Sequence, residues 1–141
     1  MTVANKVLSF LENVNIDVEV FHTEMIMPDQ PPEDDEGNRE YKWRITPRTP
    51  DEHKWKCEKL ATQLSFRMRE GAGKALYMLG VHDCGKAVGT DETSLCKTLD
   101  IITKAAAIIK QTKITRIRLY KGQKGFIATI RLTNPRLKNA W

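Results

Sequence analysis

Cysteine is scarce in this chain: Cys57, Cys84 and Cys96 stand far apart and form no CxxC pair. A disulfide framework wants an even count and a structural zinc site wants clustered ligands, so the expectation is free thiols in a reducing cytoplasm. Long apolar runs are missing as well. Nothing approaches the ~20 consecutive apolar residues of a membrane helix, so no membrane partner is expected. No basic stretch followed by an apolar core opens the chain, which argues against a secretion signal. His22, His53 and His82 are isolated and make no metal spacing. No pair of carboxylates sits in a plausible pocket. Catalysis, metals and cofactors are therefore not expected.

Acid is sparse over most of the chain. Residues 1–40 hold ten acidic and two basic residues, a net of 2 − 10 = −8, whereas residues 41–141 hold 21 basic and 8 acidic ones, a net of 21 − 8 = +13. An acidic arm precedes a strongly basic domain. A domain of that charge favours polyanions, chiefly RNA, through counterion release.

Val3, Val7, Phe10, Leu11 and Val14 recur at helical spacing, and Ile16, Val18 and Val20 alternate with Asp17 and Glu19 as in a strand with one acidic face. Residues 1–26 thus read as a helix–strand arm. Residues 27–40 are rich in proline and acid, too polar to pack, and read as a linker. Residues 41–134 read as the main domain and residues 135–141 as a basic tail.

Within that domain Tyr41 to Thr46 is a strand ended by Pro47. Thr49, Pro50 and Glu52 form a helix start with a capping box, and Cys57, Leu60, Ala61, Leu64 and Met68 give the core stripe. Gly71 supplies the left-handed stop. Ala75 to Val81, apolar on both parities, is a central strand, and Lys86 to Gly89 a short return. A helix from Asp91 to Gln111 buries Leu95, Leu99, Ile102, Ala106 and Ile109. The segments Lys113 to Tyr120 and Gly125 to Leu132 form a hairpin, with Leu119 beside Phe126, Ile117 beside Ala128 and Thr115 beside Ile130 on an apolar face. The resulting order, β-α-β-β-α-β-β, predicts an α+β two-layer sandwich of roughly ferredoxin-like type, helices on one face and the other face open.

Glu70-Gly71-Ala72-Gly73-Lys74 fails as a phosphate loop. Met68 stands where the first glycine belongs, Ala75 replaces the magnesium-binding hydroxyl, and a helix leads into a strand rather than the reverse. No nucleotide is expected. His82-Asp83-Cys84 has the residue types of a thiol-protease triad, but neighbours on one turn cannot point at one another, and Asp and Gly there are turn chemistry. The open sheet face is the better candidate. Arg116, Arg118, Tyr120 and Arg131 project together, the polar parity of the first strand adds Lys42 and Arg44, and Lys121 and Lys124 sit in the adjoining turn. Guanidinium groups beside a stacking aromatic suit single-stranded RNA. Opposite its core stripe, the first helix of the domain carries Trp55, Lys59, Thr62, Phe66 and Arg69, an apolar stripe that the arm or a protein partner would cover.

Helix, Glu70-Gly71-x-Gly73, Tyr77-x-x-Gly80, then a polar turn from Asp83 to Gly85 and on to Gly89 form an order that resembles the domain preceding the GTPase domain in the GTP-binding protein 1 family of elongation-factor-like translational GTPases. The resemblance continues to about Leu132. It implies an accessory domain that engages the ribosome or RNA; the family's nucleotide-binding residues have no counterpart before the sequence ends at Trp141. The run LYMLGVHDCGKAVG also looks like the strand–turn–strand of the Schlafen AlbA-type domain, which implies association with nucleic acid. Two functions follow as expectations. One is a non-catalytic accessory protein docking on the translation machinery through the basic face, with the acidic arm tuning that docking. The other is a protein-interaction adaptor that uses the arm and the Trp55–Phe66 stripe.

Overall fold

The computed structural model describes residues 2–13 and 18–137. Its elements are α1 Val3–Asn13, β1 Glu19–Ile26, β2 Arg39–Lys42, α2 Pro50–Glu70, β3 Lys74–Leu79, α3 Glu92–Ile108, β4 Lys113–Lys121 and β5 Phe126–Thr133. A short 3-10 turn, Pro135–Leu137, follows. The architecture is α+β: three helices against one five-stranded mixed sheet of order β1-β4-β5-β3-β2. β1 runs parallel to β4 and β2 parallel to β3, while β5 is antiparallel to both its neighbours.

The helices begin where the sequence says. Thr49 accepts a hydrogen bond from the Glu52 N–H at 3.1 Å, and Asp91 accepts one from the Ser94 N–H at 3.0 Å, each satisfying a donor the helix cannot. The stop after α2 works differently from the expectation. Gly71 has φ −100°, and the left-handed residues are Ala72 and Gly73. Gly71 is needed for space instead, because a Cβ there would stand 2.0 Å from the Lys74 carbonyl oxygen.

Three expectations about strands change. The first strand of the domain spans Arg39–Lys42 instead of Tyr41 to Thr46. Residues 86–89 form no strand; the Gly89 N–H donates to the Gly80 carbonyl at 2.8 Å, and Thr90 makes only an isolated bridge to Phe126. After the helix–strand arm the order is therefore β-α-β-α-β-β rather than β-α-β-β-α-β-β. The β4–β5 hairpin sits two residues from the expected register, pairing Leu119 with Ala128 and Ile117 with Ile130. A slip of two keeps every side chain on its face, so the apolar face survives. A bulge between Ile114 and Arg116 then turns Ile114, not Thr115, into the core beside Leu132.

The arm belongs to this fold. Val3, Val7 and Leu11 are buried in the same core as Leu95, Leu99 and Ile102 of α3, each such burial stabilising by about 1.5–3 kcal/mol. β1 is the edge strand beside β4, with Val20 directed at the core and Phe21 at the open face. Val14 and Ile16 lie outside the described residues, as do residues 138–141 of the expected tail.

Because β1 and β2 occupy opposite edges, the chain between them must cross the sheet. Residues 27–38 do so as a strap over one end of the open face, not as a solvated linker. Met27 is buried with Tyr41, Met78, Val81, Ala87 and Ile127 in a second, smaller core. The strap is pinned along its length. Met27 N–H donates to Lys121 O at 2.9 Å, Gln30 N–H to Gly85 O at 2.7 Å and Glu33 N–H to Asp83 O at 2.7 Å. Asp29 accepts from the Ala87 N–H at 2.9 Å, and the Tyr41 hydroxyl donates to Pro31 O at 2.9 Å. Gly85 is obligatory beneath it, since a Cβ would lie 1.9 Å from Gln30 O. Beyond the strap Arg67, buried on α2, donates to the Glu40 carboxylate at 2.7 Å, Gly37 O at 2.9 Å and Asp34 O at 2.8 Å.

Candidate nucleic-acid interface

Alternation along each strand resolves the open face into three rows across the sheet. The first reads Arg116, Arg131, Leu76, Arg39 over β4, β5, β3 and β2. The second reads Phe21, Arg118, Thr129, Met78, Tyr41 from β1 to β2. The third holds Tyr120 and Ile127 and runs under the strap. Polarity falls from row to row. The strap covers the apolar end and leaves the cationic end open, which produces a basin of about 330 Å³ between them.

Four guanidiniums, of Arg39, Arg116, Arg118 and Arg131, border this basin, with Leu76 and Met78 as its floor and Tyr120 and Met27 on the strap side. The Arg116 and Arg118 groups stand 5.3 Å and 5.6 Å from the Phe21 ring centre, close enough for cation–π attraction to hold them. Among the described residues no carboxylate lies within 4.0 Å of any of the four, although Glu19 stands beside Arg116 in register. Two acids of the strap are committed elsewhere, Asp29 to the Ala87 N–H and Glu33 to the Tyr41 N–H. Burial pushes the Glu33 carboxyl above its ordinary value, against the pull of that N–H.

The structure brings together Arg116, Arg118, Tyr120 and Arg131 as the sequence implied, and adds Arg39, which the composition had assigned to a linker. Its signal is alternation: Arg39 and Tyr41 share a parity. The other basic residues lie elsewhere. Lys42 is on the helix side, its Nζ 3.2 Å from the Glu40 carboxylate, because Tyr41 faces the smaller core and so reverses the strand. Arg44 caps the Trp43 ring at 4.0 Å and approaches Asp91 at 3.7 Å. Lys121 pairs with Glu24 at 2.8 Å, and Lys124 is exposed in the hairpin turn, neither of them lining the basin.

Lys42 and Arg44 instead line a groove with Trp55, Lys59 and Leu60 beside α2. Trp55 is 57% exposed and Phe66 43%, with the Lys59 ammonium 4.9 Å from the Trp55 ring centre. Arg69 is exposed on the same stripe. The arm does not cover it, since α1 packs beside α3 in the main core.

His53 is not isolated, contrary to expectation. Its Nε2 lies 3.2 Å from Asp100 and its Nδ1 3.7 Å from the Cys57 sulfur. The contacts leave opposite edges of the ring, and burial pushes the Cys57 thiol up, away from the thiolate a nucleophile needs. His82 stacks on Trp43, ring centres 4.9 Å apart. Among the described residues no group of three or more His, Cys, Asp or Glu side chains could hold a metal, and no helix is long and apolar enough to cross a membrane.

Fold and face together define an α+β protein with one sheet face buried under helices and the other lined by arginines that have no carboxylate partner among the described residues. A 79-residue stretch is 37% identical to GTP-binding protein 2 of Mus musculus and to GTP-binding protein 2 of Homo sapiens, covering 56% of this chain. The match takes in 12% of the length of each relative. No family model matches the chain, and no solved structure matches it.

Proposed function

We propose that this protein is a non-catalytic accessory module of the translation machinery that binds RNA, free or in the ribosome, through the arginine-bordered basin of its sheet. The observation that carries the reading is the convergence of Arg39, Arg116, Arg118 and Arg131 from three strands without a carboxylate partner among the described residues. Similarity to a GTP-binding protein supports a cytoplasmic setting in translation. The test is affinity for a single-stranded RNA against salt. With about four phosphates engaged, log affinity falls with log salt at a slope near −2.8, and Arg116→Glu with Arg131→Glu flattens it. Absence of binding at low salt, or a flat slope in the unaltered protein, overturns the reading.

A second reading is favoured by the exposed aromatics of α2. A protein partner seated on Trp55, Lys59, Phe66 and Arg69 would bury rings that water disfavours. Trp55→Ser abolishes such a complex and leaves RNA affinity unchanged.

A further inference from the structure

We infer that the basin takes one unpaired nucleotide, inserted base first; the inference rests on the RNA reading and narrows it to a structural feature of the RNA. A nucleotide carries its charge at the phosphate and presents flat, weakly polar faces at the base. The basin has the same polarity along the strand direction, with Arg116, Arg131 and Arg39 in the first row and Tyr120 and Met27 at the strap. Its volume of about 330 Å³ lies at the small end of ligand sites.

The strap makes the far end blind. Met27 and Gln30 are fixed to Lys121 and Gly85 by backbone hydrogen bonds of 2.9 and 2.7 Å, so a strand entering past the arginines cannot continue beneath them. Bases stacked within a duplex cannot reach such a floor, whereas a splayed one can. Two guanidiniums are already oriented by Phe21, which leaves their N–H edges free for phosphate. Gln30 donates its amide N–H to Pro28 O at 2.9 Å and keeps its amide oxygen as an acceptor at the blind end.

The experiment compares a short blunt RNA duplex with the same duplex carrying one bulged nucleotide, across a salt series. The bulged form binds about tenfold more tightly, the effect of one stacked base, with equal salt slopes for both. Thr129→Trp, which fills the basin from the central strand, and Tyr120→Ala, which removes the stacking ring, each bring the bulged duplex down to the blunt level. Equal affinities with a normal salt slope overturn the inference while the RNA reading stands. A preference that survives both substitutions in folded protein overturns it too. Binding to neither duplex at low salt overturns both.

Discussion

Arg116 and Arg131 stand directly opposite each other in the β4–β5 ladder, two cations on one face of neighbouring strands. Like charges so placed oppose the sheet, and cross-strand pairs contribute about 0.2–1 kcal/mol. A fold selected for stability alone would avoid the arrangement, which fits a surface kept for an anion. Arg131→Thr is expected to raise the urea midpoint at low salt, and the gain should shrink in high salt as the repulsion is screened. RNA affinity should fall in the same variant. A lowered midpoint would show that the pair is no standing repulsion.

Leu11 tests whether the arm is part of the core. Its side chain is 3% exposed among residues of α3 and the sheet. Leu11→Ala is expected to cost about 2–5 kcal/mol, as for other buried leucines, read from urea unfolding. A tethered arm would lose nothing. Removal of residues 1–40 is likewise expected to unfold the domain, because it takes away β1, β2's first two residues and three buried side chains of α1.

Local periodicity carried the parts of this fold that were legible. The stripe from Cys57 to Met68 and the alternation from Ile117 to Ile130 are short-range patterns, and even a two-residue slip left their faces intact. Parallel pairing of β1 with β4 joins segments distant in sequence, Glu19 with Arg116, and leaves no local mark. The strap was hidden for a related reason. The acids of residues 27–40 read as solvated until Asp29 meets Ala87, Glu33 meets the Tyr41 N–H and Glu40 of β2 meets Arg67, none of which sequence spacing announces. Lys42 and Arg44 were assigned to the wrong face because the strand's apolar side was equated with the helix side. The sheet has a small core on its other face too, and Tyr41 belongs to that one.

Arg67 and Glu40 form an ion pair in which both side chains are almost wholly buried, at 4% and 3% exposure. Glu40→Ala would leave a guanidinium without its anion and is expected to destabilise by about 3–5 kcal/mol. Pairing it with Arg67→Met removes the stranded charge and should recover much of that loss, although Gly37 O and Asp34 O then lose their donors. A double-mutant cycle from urea melts measures the coupling. Additive losses would mean that the two residues act independently.

Glu33 gives the strap a pH dependence of definite sign. Burial raises its carboxyl above the ordinary 4.5, with the charges of Glu40 and Asp83 adding to the effect and the Tyr41 N–H opposing it. An acid whose folded value exceeds its unfolded one binds more protons in the folded state. Its contribution to stability is therefore fully present below the unfolded value and is lost as pH rises through the folded one. Stability of the unaltered protein should decline across the range just above 4.5 by the share that Glu33 owns. Glu33→Gln keeps an oxygen for the Tyr41 N–H and carries no charge, so its urea midpoint should lie above that of the unaltered protein at neutral pH, with the two converging in acid. Parallel midpoint curves would show that the carboxyl is not what couples the strap to pH.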